Sequence, residues 1–402
     1  MTLPASVSHT GKNALFVSKW PQRWNELFIA KFGRLYHVHI LRIHERVRAV
    51  GYAQLADVIN AEIERCGAEV VLLDIEFYQG FGVDILARLT RRAKLVLVTF
   101  DDIVFHEFNA TNARACDIVL CADPLAVLKY REKNIPAALC LLENSVAPFA
   151  AAGRLAKDID VLFFGDLSKG GRRQFVTELS ARGIPVTVHA PEIDGELSYE
   201  ALARLIARAR IVLNLSKTHT IGRPPEAVVP VDAYLQFKGR VVEAGLGQAL
   251  CVSEYAPGVE YLFGADRVPM FRTVEECAVI VKALLADPSR LERAAAALHE
   301  LVMASCEETV QLAVVSDAIE RATTASRSWP EWVPAAYLRT LAVARFLRVR
   351  PGGVALIRDF GAFLTNRRLG SAGARLSAAI ALLPEIVKML LSLRRRRSAT
   401  QL

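Results

Sequence analysis

The stretch "QFKGRVVEAGLGQALCVSEYAPGVEYLF", residues 236–263, joins a cationic helical pattern to a glycine-rich bend and a short apolar run. Lys238, Arg240 and Glu243 precede the bend, and "QALCVSE" follows it at once. A helical pattern that passes through glycine into a buried strand is typical of a parallel α/β layer. The stretch therefore predicts a parallel sheet with charged groups near its strand ends.

The rest of the chain repeats this alternation in two series. In the first half, apolar runs predict strands at 13–19, 36–43, 68–75, 93–100, 116–122 and 137–143, with helices at 52–67 and 82–93. After a break at 144–158, strands are predicted at 159–166, 184–190, 211–216 and 248–254, with helices at 171–183, 198–210, 238–246 and 273–287. Two such series predict two doubly wound, Rossmann-like α/β domains that face a cleft. We place them at 1–150 and 151–327, followed by a basic helical extension at 328–402.

Composition narrows the class of protein. With 402 residues, 52% hydrophobic and 23% charged, the chain is globular rather than disordered. Its seven cysteines form no CxxC pair and lie mostly in apolar runs, which predicts buried free thiols in a reducing compartment. The first residues lack a signal-peptide pattern, and no run of 18 uncharged apolar residues occurs. We therefore expect a cytoplasmic protein without a spanning helix.

The net charge of +8 is unevenly distributed. Residues 333–402 contain 13 basic and 2 acidic residues, a net +11, whereas the remaining 332 contain 37 basic and 40 acidic, a net −3. A nucleic-acid enzyme more often carries its positive charge along a groove in the body of the protein. The distribution predicts no nucleic-acid partner.

In the first half, candidate catalytic residues follow the fourth predicted strand. They are Asp101, Asp102 and His106 in "FDDIVFHEF". Ligands bind outside the carboxyl ends of parallel strands, so these groups are placed to act as a general base. Two alternatives stay open: the aspartates form a helix N-cap pair, and His106 is a surface histidine.

In the second half, polar residues that follow the strands predict a binding site for an anion. The candidates are Gly165, Lys169, His189, Asn214, Lys238, Arg240, Glu243 and Glu254. Glycines permit close backbone approach, and cations and helix N-termini suit a diphosphate. The alternatives are a solvated loop at "SKGGRR" and an ordinary helix with a Glu–Arg surface pair at the opening stretch. Neither GxxxxGK[ST] nor GxGxxG spacing occurs at these positions.

The opening stretch resembles the signature of glycosyltransferases of GT-B fold, most closely the spore-maturation-protein-like group. The matching positions are Lys238, Gly239, Arg240, Glu243, Gly245, Gly247, Glu254 and Glu260. The resemblance covers about residues 65–305 and is strongest from 159 to 300. Val242 stands where a Phe is usual. Leu235 stands eight residues before Glu243, where retaining family-4 enzymes have a glutamate, so their mechanism is not implied.

The resemblance implies transfer of a sugar from a nucleotide sugar to a glycan, lipid or protein acceptor. The nucleotide would lie on the second domain, with Lys238 and Arg240 stabilising the leaving diphosphate and Glu243 binding ribose or sugar hydroxyls. No metal or further cofactor is expected. The alternative is a catalytically silent GT-B scaffold that binds a glycan or a protein.

The basic extension combines Trp329, Trp332 and several arginines with apolar helical patterns. Aromatic and cationic residues beside apolar helix faces suit the surface of an anionic bilayer. We expect peripheral attachment to the cytoplasmic membrane face. The alternative is a helical extension that packs on the body.

Overall fold

The computed structural model describes residues 9–18, 23–75, 80–100, 102–142, 144–169, 171–217, 235–323, 333–348 and 353–382. Two parallel sheets, of six and five strands, form the centres of two α/β units. The predicted fold class, two Rossmann-like domains with a helical C-terminal part, is therefore confirmed.

The first sheet has the order β2-β1-β3-β4-β5-β6, and its strands are all parallel. Its strands are β1 (Asn13–Ser18), β2 (His37–Arg42), β3 (Ala68–Asp74), β4 (Lys94–Thr99), β5 (Ile118–Cys121) and β6 (Ala137–Leu139). Its helices are α1 (Arg23–Phe32), α2 (Ile43–Val50), α3 (Leu55–Cys66), α4 (Val83–Leu86), α5 (Asp102–Ala113) and α6 (Pro124–Glu132). The inner strands are buried almost throughout, as expected for a sheet covered on both faces.

The second sheet has the order β11-β10-β9-β7-β8. Its strands are β7 (Ile159–Phe164), β8 (Thr187–His189), β9 (Ala209–Asn214), β10 (Leu250–Glu254) and β11 (Met270–Phe271). Its helices are α8 (Arg172–Ala181), α9 (Pro191–Asp194), α10 (Tyr199–Arg208), α11 (Arg240–Leu246), α12 (Pro257–Phe263), α13 (Val274–Ala286) and α14 (Pro288–Ser305). Because β8 lies on one side of β7 and β9 on the other, the winding reverses between β7 and β9. That reversal point is where ligands bind in open parallel sheets.

The chain crosses between the two units twice. Helix α7 (Ala147–Ala152) packs on α10 of the second unit, where Phe149 meets the ring of Tyr199 at 5.9 Å. Helix α15 (Glu308–Arg321) returns to the first sheet and buries Leu312, Val315 and Ile319 against it. The predicted boundary at 150 falls within α7, and the one at 327 places α15 with the second unit, although α15 packs on the first sheet.

The C-terminal segment packs on the first unit. It contains α16 (Ala335–Val343), a π-helical turn (Ala344–Arg348), α17 (Gly353–Thr365), a 3-10 turn (Arg367–Leu369) and α18 (Ala372–Ile380). Apolar residues of these helices form one buried cluster with Val83, Phe105 and Phe108 of α4 and α5. Within the described ranges, no helix is long and apolar enough to cross a membrane.

A buried ion pair fixes this segment in place. The guanidinium of Arg345 binds both carboxylate oxygens of Asp84, at 2.9 and 2.6 Å, and its Nε donates to the carbonyl of Gly80 at 2.7 Å. Both side chains are buried. Residues 333–348 are therefore anchored in the first unit, as the packing alternative for the extension predicted.

Removing one partner of this pair leaves a buried charge without compensation. We expect Asp84→Asn to lower the free energy of unfolding by about 3–5 kcal/mol, measured by urea unfolding followed by circular dichroism. The matched control is Asp317→Asn, which breaks the exposed helical pair with Arg321 and should change stability by about 0.5 kcal/mol. Equal effects of the two substitutions would contradict the anchoring role of Asp84.

Candidate functional site

The candidate site lies at the carboxyl edge of the second sheet, at the reversal point between β7 and β9. Arg240, the first residue of α11, joins the two strand ends. Its Nε donates to the carbonyl of Phe164 at 2.8 Å, and its Nη1 lies 3.4 Å from Oδ1 of Asn214. The guanidinium also lies beside the rings of Phe163 and Phe164, at 5.4 and 5.6 Å. Burial lowers the pKa of Arg240 to about 10, which leaves it protonated at neutral pH.

Gly165 follows β7 and is required by this arrangement. Its φ is +120°, in a region that favours glycine, and a Cβ built there would lie 2.5 Å from Nη2 of Arg240. Its N–H donates to the carbonyl of His189 at 2.9 Å, which ties β7 to the end of β8. Any larger residue would displace the guanidinium.

Arg172, the first residue of α8, was missed in the sequence. Its side chain is buried, Nη1 donates to the carbonyl of Asp166 at 3.0 Å, and Nε has no hydrogen-bond partner among the described residues. Burial lowers the pKa of Arg172, and its charge in turn lowers that of Arg240. In the described ranges neither arginine forms an ion pair with a carboxylate. Asp166, Glu254 and Glu192 attract Arg172, and Glu243 attracts Arg240, only at longer range.

The sequence did carry a signal for Arg172. It stands directly after the glycines of "SKGGRR", where a helix begins, but Lys169 was chosen from that run. Lys169 is exposed, and its Nζ lies 3.7 Å from a carboxylate oxygen of Asp166. The residue that points inward is therefore three positions further along the chain.

The side chains of Glu254 and Asn214 bind mainly to residues of neighbouring strand ends and of the loop after β9. Oε2 of Glu254 accepts hydrogen bonds from the N–H groups of Ser216 and Lys217 at 2.9 and 3.1 Å, and Oε1 lies 3.1 Å from Nζ of Lys217. The amide of Asn214 donates to Oγ of Ser253 at 2.8 Å while its oxygen faces Arg240. In this structure the two side chains hold the loop after β9 and position Arg240.

Glu243 lies one turn beyond Arg240 on α11 and is half-buried. Burial raises its pKa to about 7, against the opposing effects of Arg240 and a hydrogen bond with Tyr199. The hydroxyl of Tyr199 also accepts from the N–H of Ser145 at 3.3 Å. Glu243 is thus a carboxyl group beside Arg240 with a pKa raised to about 7.

Lys238 and its neighbours connect this edge to the first unit. Nζ of Lys238 donates to Oε1 of Gln236, whose Nε2 donates to the carbonyl of Phe100 at 3.2 Å. The N–H of Phe237 lies 3.3 Å from Oδ2 of Asp123, the N-cap residue of α6. Burial raises the pKa of Asp123. The segment before α11 therefore bridges the two units at the cleft.

His189 ends β8 at the same edge as Gly165. Its Nδ1 lies 3.6 Å from Oδ2 of Asp194, and its Nε2 is buried without a hydrogen-bond partner among the described residues. The structure thus brings Gly165, Asn214, Arg240 and Arg172 together, and places His189 one strand away.

On the first unit, Asp102 and His106 belong to a buried network at the start of α5. Oδ2 of Asp102 lies 2.7 Å from Nδ1 of His106, and Oδ1 accepts from Nδ2 of Asn109 at 2.9 Å and from the hydroxyl of Tyr130. The His106 ring lies 4.6 Å from that of Tyr130. His106 is buried, so the alternative of a surface histidine is wrong. Asp101 lies outside the described residues.

This network orients the imidazole. When Nδ1–H donates a hydrogen bond to Asp102, Nε2 carries the free lone pair and is the basic atom of the ring. Nε2 of His106 is buried and has no hydrogen-bond partner within the described part of the chain. An Asp–His pair of this kind can act as a general base, but in this structure its basic atom, Nε2 of His106, is buried.

Two α/β units with parallel sheets, joined by a bridge at the cleft and by a helix that returns to the first sheet, define the GT-B architecture. Residues 172–310 match the family model described as glycosyl transferase-like, a span that begins at Arg172 and includes Asn214, Arg240, Glu243 and Glu254 of the site but not Gly165. No curated protein matches the sequence.

Solved structures share the fold at low sequence identity. Sucrose-phosphate synthase from Thermosynechococcus elongatus is 12% identical, with a TM-score of 0.52, over 77% of this chain and 98% of that one. HepE from Anabaena, in complex with UDP and glucose, is 14% identical, with a TM-score of 0.54, over 77% of this chain and 99% of that one. HepE in complex with UDP-glucose gives 12% identity, a TM-score of 0.53 and the same two coverages.

The raised pKa of Glu243 makes stability depend on pH. The folded state binds this proton more tightly than the unfolded state, where the pKa is near 4.5, so the contribution to stability falls as pH rises from about 4.5 to about 7. Comparing wild type with Glu243→Gln isolates this effect. The free energy of unfolding of the wild type should fall by about 1–2 kcal/mol more than that of the variant between pH 5 and pH 8. Identical pH profiles in urea unfolding would show that the pKa of Glu243 is not raised in the folded state.

Proposed function

We propose that this protein transfers a glycosyl group from a nucleoside-diphosphate sugar to a hydroxyl group of an acceptor. The observation that carries the proposal is the pair formed by buried Arg172 and half-buried Arg240, neither of which forms an ion pair with a carboxylate in the described ranges. A site with this composition at the reversal point of a parallel sheet suits a diphosphate. The match to a glycosyl transferase-like family model over the same residues supports the assignment.

In the proposed reaction, the bond between the anomeric carbon and the β-phosphate oxygen breaks, and the acceptor oxygen bonds to the anomeric carbon. The nucleoside diphosphate leaves with the negative charge that develops on its oxygen. Arg172 and Arg240 would stabilise that charge, with the N-terminus of α8 adding partial positive charge. Because these groups supply positive charge, the proposal includes no metal ion and no cofactor beyond the donor.

The other predicted residues extend the donor site. Glu243, when ionised, would accept hydrogen bonds from ribose or sugar hydroxyls, and Lys238 would face the phosphates from the bridge between the units. Gly165 allows the guanidinium of Arg240 to approach the strand end. Because HepE has been solved with UDP and with UDP-glucose, a uridine nucleotide is the first donor to test.

We propose that His106 takes the proton of the acceptor hydroxyl at Nε2, oriented by Asp102. The step requires the hydroxyl to reach an atom that is enclosed in this structure, so it needs an opening of the cleft beside α5. Glycan, lipid and protein acceptors all carry suitable hydroxyl groups.

The positive charge of residues 333–402 supports peripheral attachment to an anionic membrane, on the cytoplasmic face.

The donor site is tested by calorimetry with UDP. Arg172→Ala and Arg240→Ala should each weaken binding by about 1.5–3 kcal/mol, because each removes charge-assisted hydrogen bonds to the diphosphate. The control is Arg173→Ala, which removes the exposed neighbour of Arg172 on the same helix turn and should leave affinity nearly unchanged. Unchanged affinity in both site variants, or an equal loss with Arg173→Ala, would overturn the assignment.

The acceptor side is tested by turnover. His106→Asn should lower kcat by about 10²–10⁴-fold, as for loss of a general base, while calorimetric affinity for UDP stays at the wild-type value. Unchanged affinity also serves as the control for folding. Wild-type turnover in this variant would place the base elsewhere and leave the Asp102 network with a structural role only.

A further inference from the structure

The outward side of α17 carries large apolar side chains beside Arg358. Val354 is 82% exposed and Ile357 is 76% exposed, and both lie on the side of the helix opposite to the buried Asp359 and Phe363. On α18, Leu376 and Ile380 are 54% and 55% exposed. Surface helices of globular proteins usually turn polar residues outward, so this segment carries an unusual pair of exposed faces.

The inner contacts of α17 fix which face is exposed. The carboxylate of Asp359 accepts hydrogen bonds from the N–H groups of Tyr52 and Ala53, at 2.5 and 3.0 Å. Arg358 donates to the carbonyl of Val50, and Phe363 lies in the buried cluster shared with α4 and α5. Rotating the helix to hide Val354 and Ile357 would break these contacts.

The charge around these faces has one sign. Between residues 353 and 382 the exposed charged side chains are Arg358, Arg367 and Arg368, whereas the acidic Asp359 is buried. The following residues, 383–402, contain five basic residues and one acidic residue in their sequence. Exposed apolar side chains accompanied in the same segment by exposed cations match the surface of an anionic bilayer.

We propose that the α17–α18 surface, formed by Val354, Ile357, Leu376 and Ile380 with Arg358, Arg367 and Arg368 at its border, docks on an anionic lipid bilayer. The apolar side chains enter the boundary between headgroups and acyl chains, and the arginines bind lipid phosphates. A second copy of the chain is a poorer partner, because a twofold interface through this surface would set arginines against arginines.

This inference goes beyond charge-driven attachment, because it assigns the contact to two helices and to apolar side chains. It also carries a geometric consequence. Helices α16 and α18 contact each other, and α16 packs on α5, which carries Asp102 and His106. Docking through α17 and α18 would hold the first unit, rather than the second, at the membrane.

The test is flotation of the full-length protein with vesicles. Wild type should float with vesicles of phosphatidylcholine and phosphatidylglycerol and stay at the bottom with phosphatidylcholine alone. The double variant Val354→Glu/Ile357→Glu should lose at least 10-fold in vesicle partitioning. The matched control is Val279→Glu, which places the same charge at a 69% exposed apolar position on α13 of the second unit and should float like wild type.

Several outcomes would overturn the proposal. Wild type that fails to float with anionic vesicles at low salt would do so, as would a double variant that floats like wild type. A wild-type dimer in analytical ultracentrifugation that becomes monomeric in the double variant would assign the surface to self-association instead. UDP affinity measured on the same samples shows separately whether the donor site is intact.

Discussion

The guanidinium of Arg240 is the group around which the second unit is arranged at its carboxyl edge. It bonds to the carbonyl at the end of β7, faces the amide at the end of β9, and occupies the space that a side chain at position 165 would need. Holding a cation here removes it from water, which is unfavourable for its charged form and lowers its pKa. Nearby Arg172 adds to that cost. Such an arrangement is stable without a ligand only because strand ends and helix starts fix both side chains, and an anion bound there would relieve the repulsion.

The same edge is tied to the first unit by few but specific contacts. Gln236 reaches the carbonyl of Phe100, the residue before Asp101, and Phe237 reaches the N-cap carboxylate of α6. Since Lys238 donates to Gln236, one chain of hydrogen bonds runs from the donor side toward the start of α5. A ligand that draws Lys238 away would alter the contact next to the acceptor-side network. These hydrogen bonds would couple donor binding, as proposed, to the geometry of the cleft.

The sequence was informative where burial alone determines structure. Runs such as "VVLLD" in β3 and "IVLC" in β5 are apolar on both faces, so their strand assignment follows from composition. The sequence was less informative where contacts with distant parts of the chain determine the secondary structure. The predicted helix at 82–93 ends at Leu86, and its first residue, Val83, packs in one cluster with the C-terminal helices, which lie more than 240 residues away in sequence. The strand β11 has only two residues, too few to show an alternating hydrophobic pattern, and it is defined by its pairing with β10.

Site residues follow the same rule. Gly165, Asn214 and Arg240 could be proposed from the sequence because each stands directly at a strand end or a helix start, and the structure brings the three together. Lys169 was preferred to Arg172 because a sequence does not show which of several cations turns inward, and only the packing of α8 decides it.

The C-terminal segment shows how one stretch of sequence can satisfy two opposed expectations. Its positive charge and apolar helices predicted membrane attachment, and the alternative was packing on the body. The structure divides these properties between two sides: Arg345, Asp359 and Phe363 face inward, whereas Val354, Ile357 and Arg358 are exposed. Arg345 is buried in an ion pair with Asp84, so its charge cannot contact a membrane or a partner protein. The packing therefore does not compete with an outer contact. By fixing the orientation of α17, it determines which apolar side chains such a contact can use.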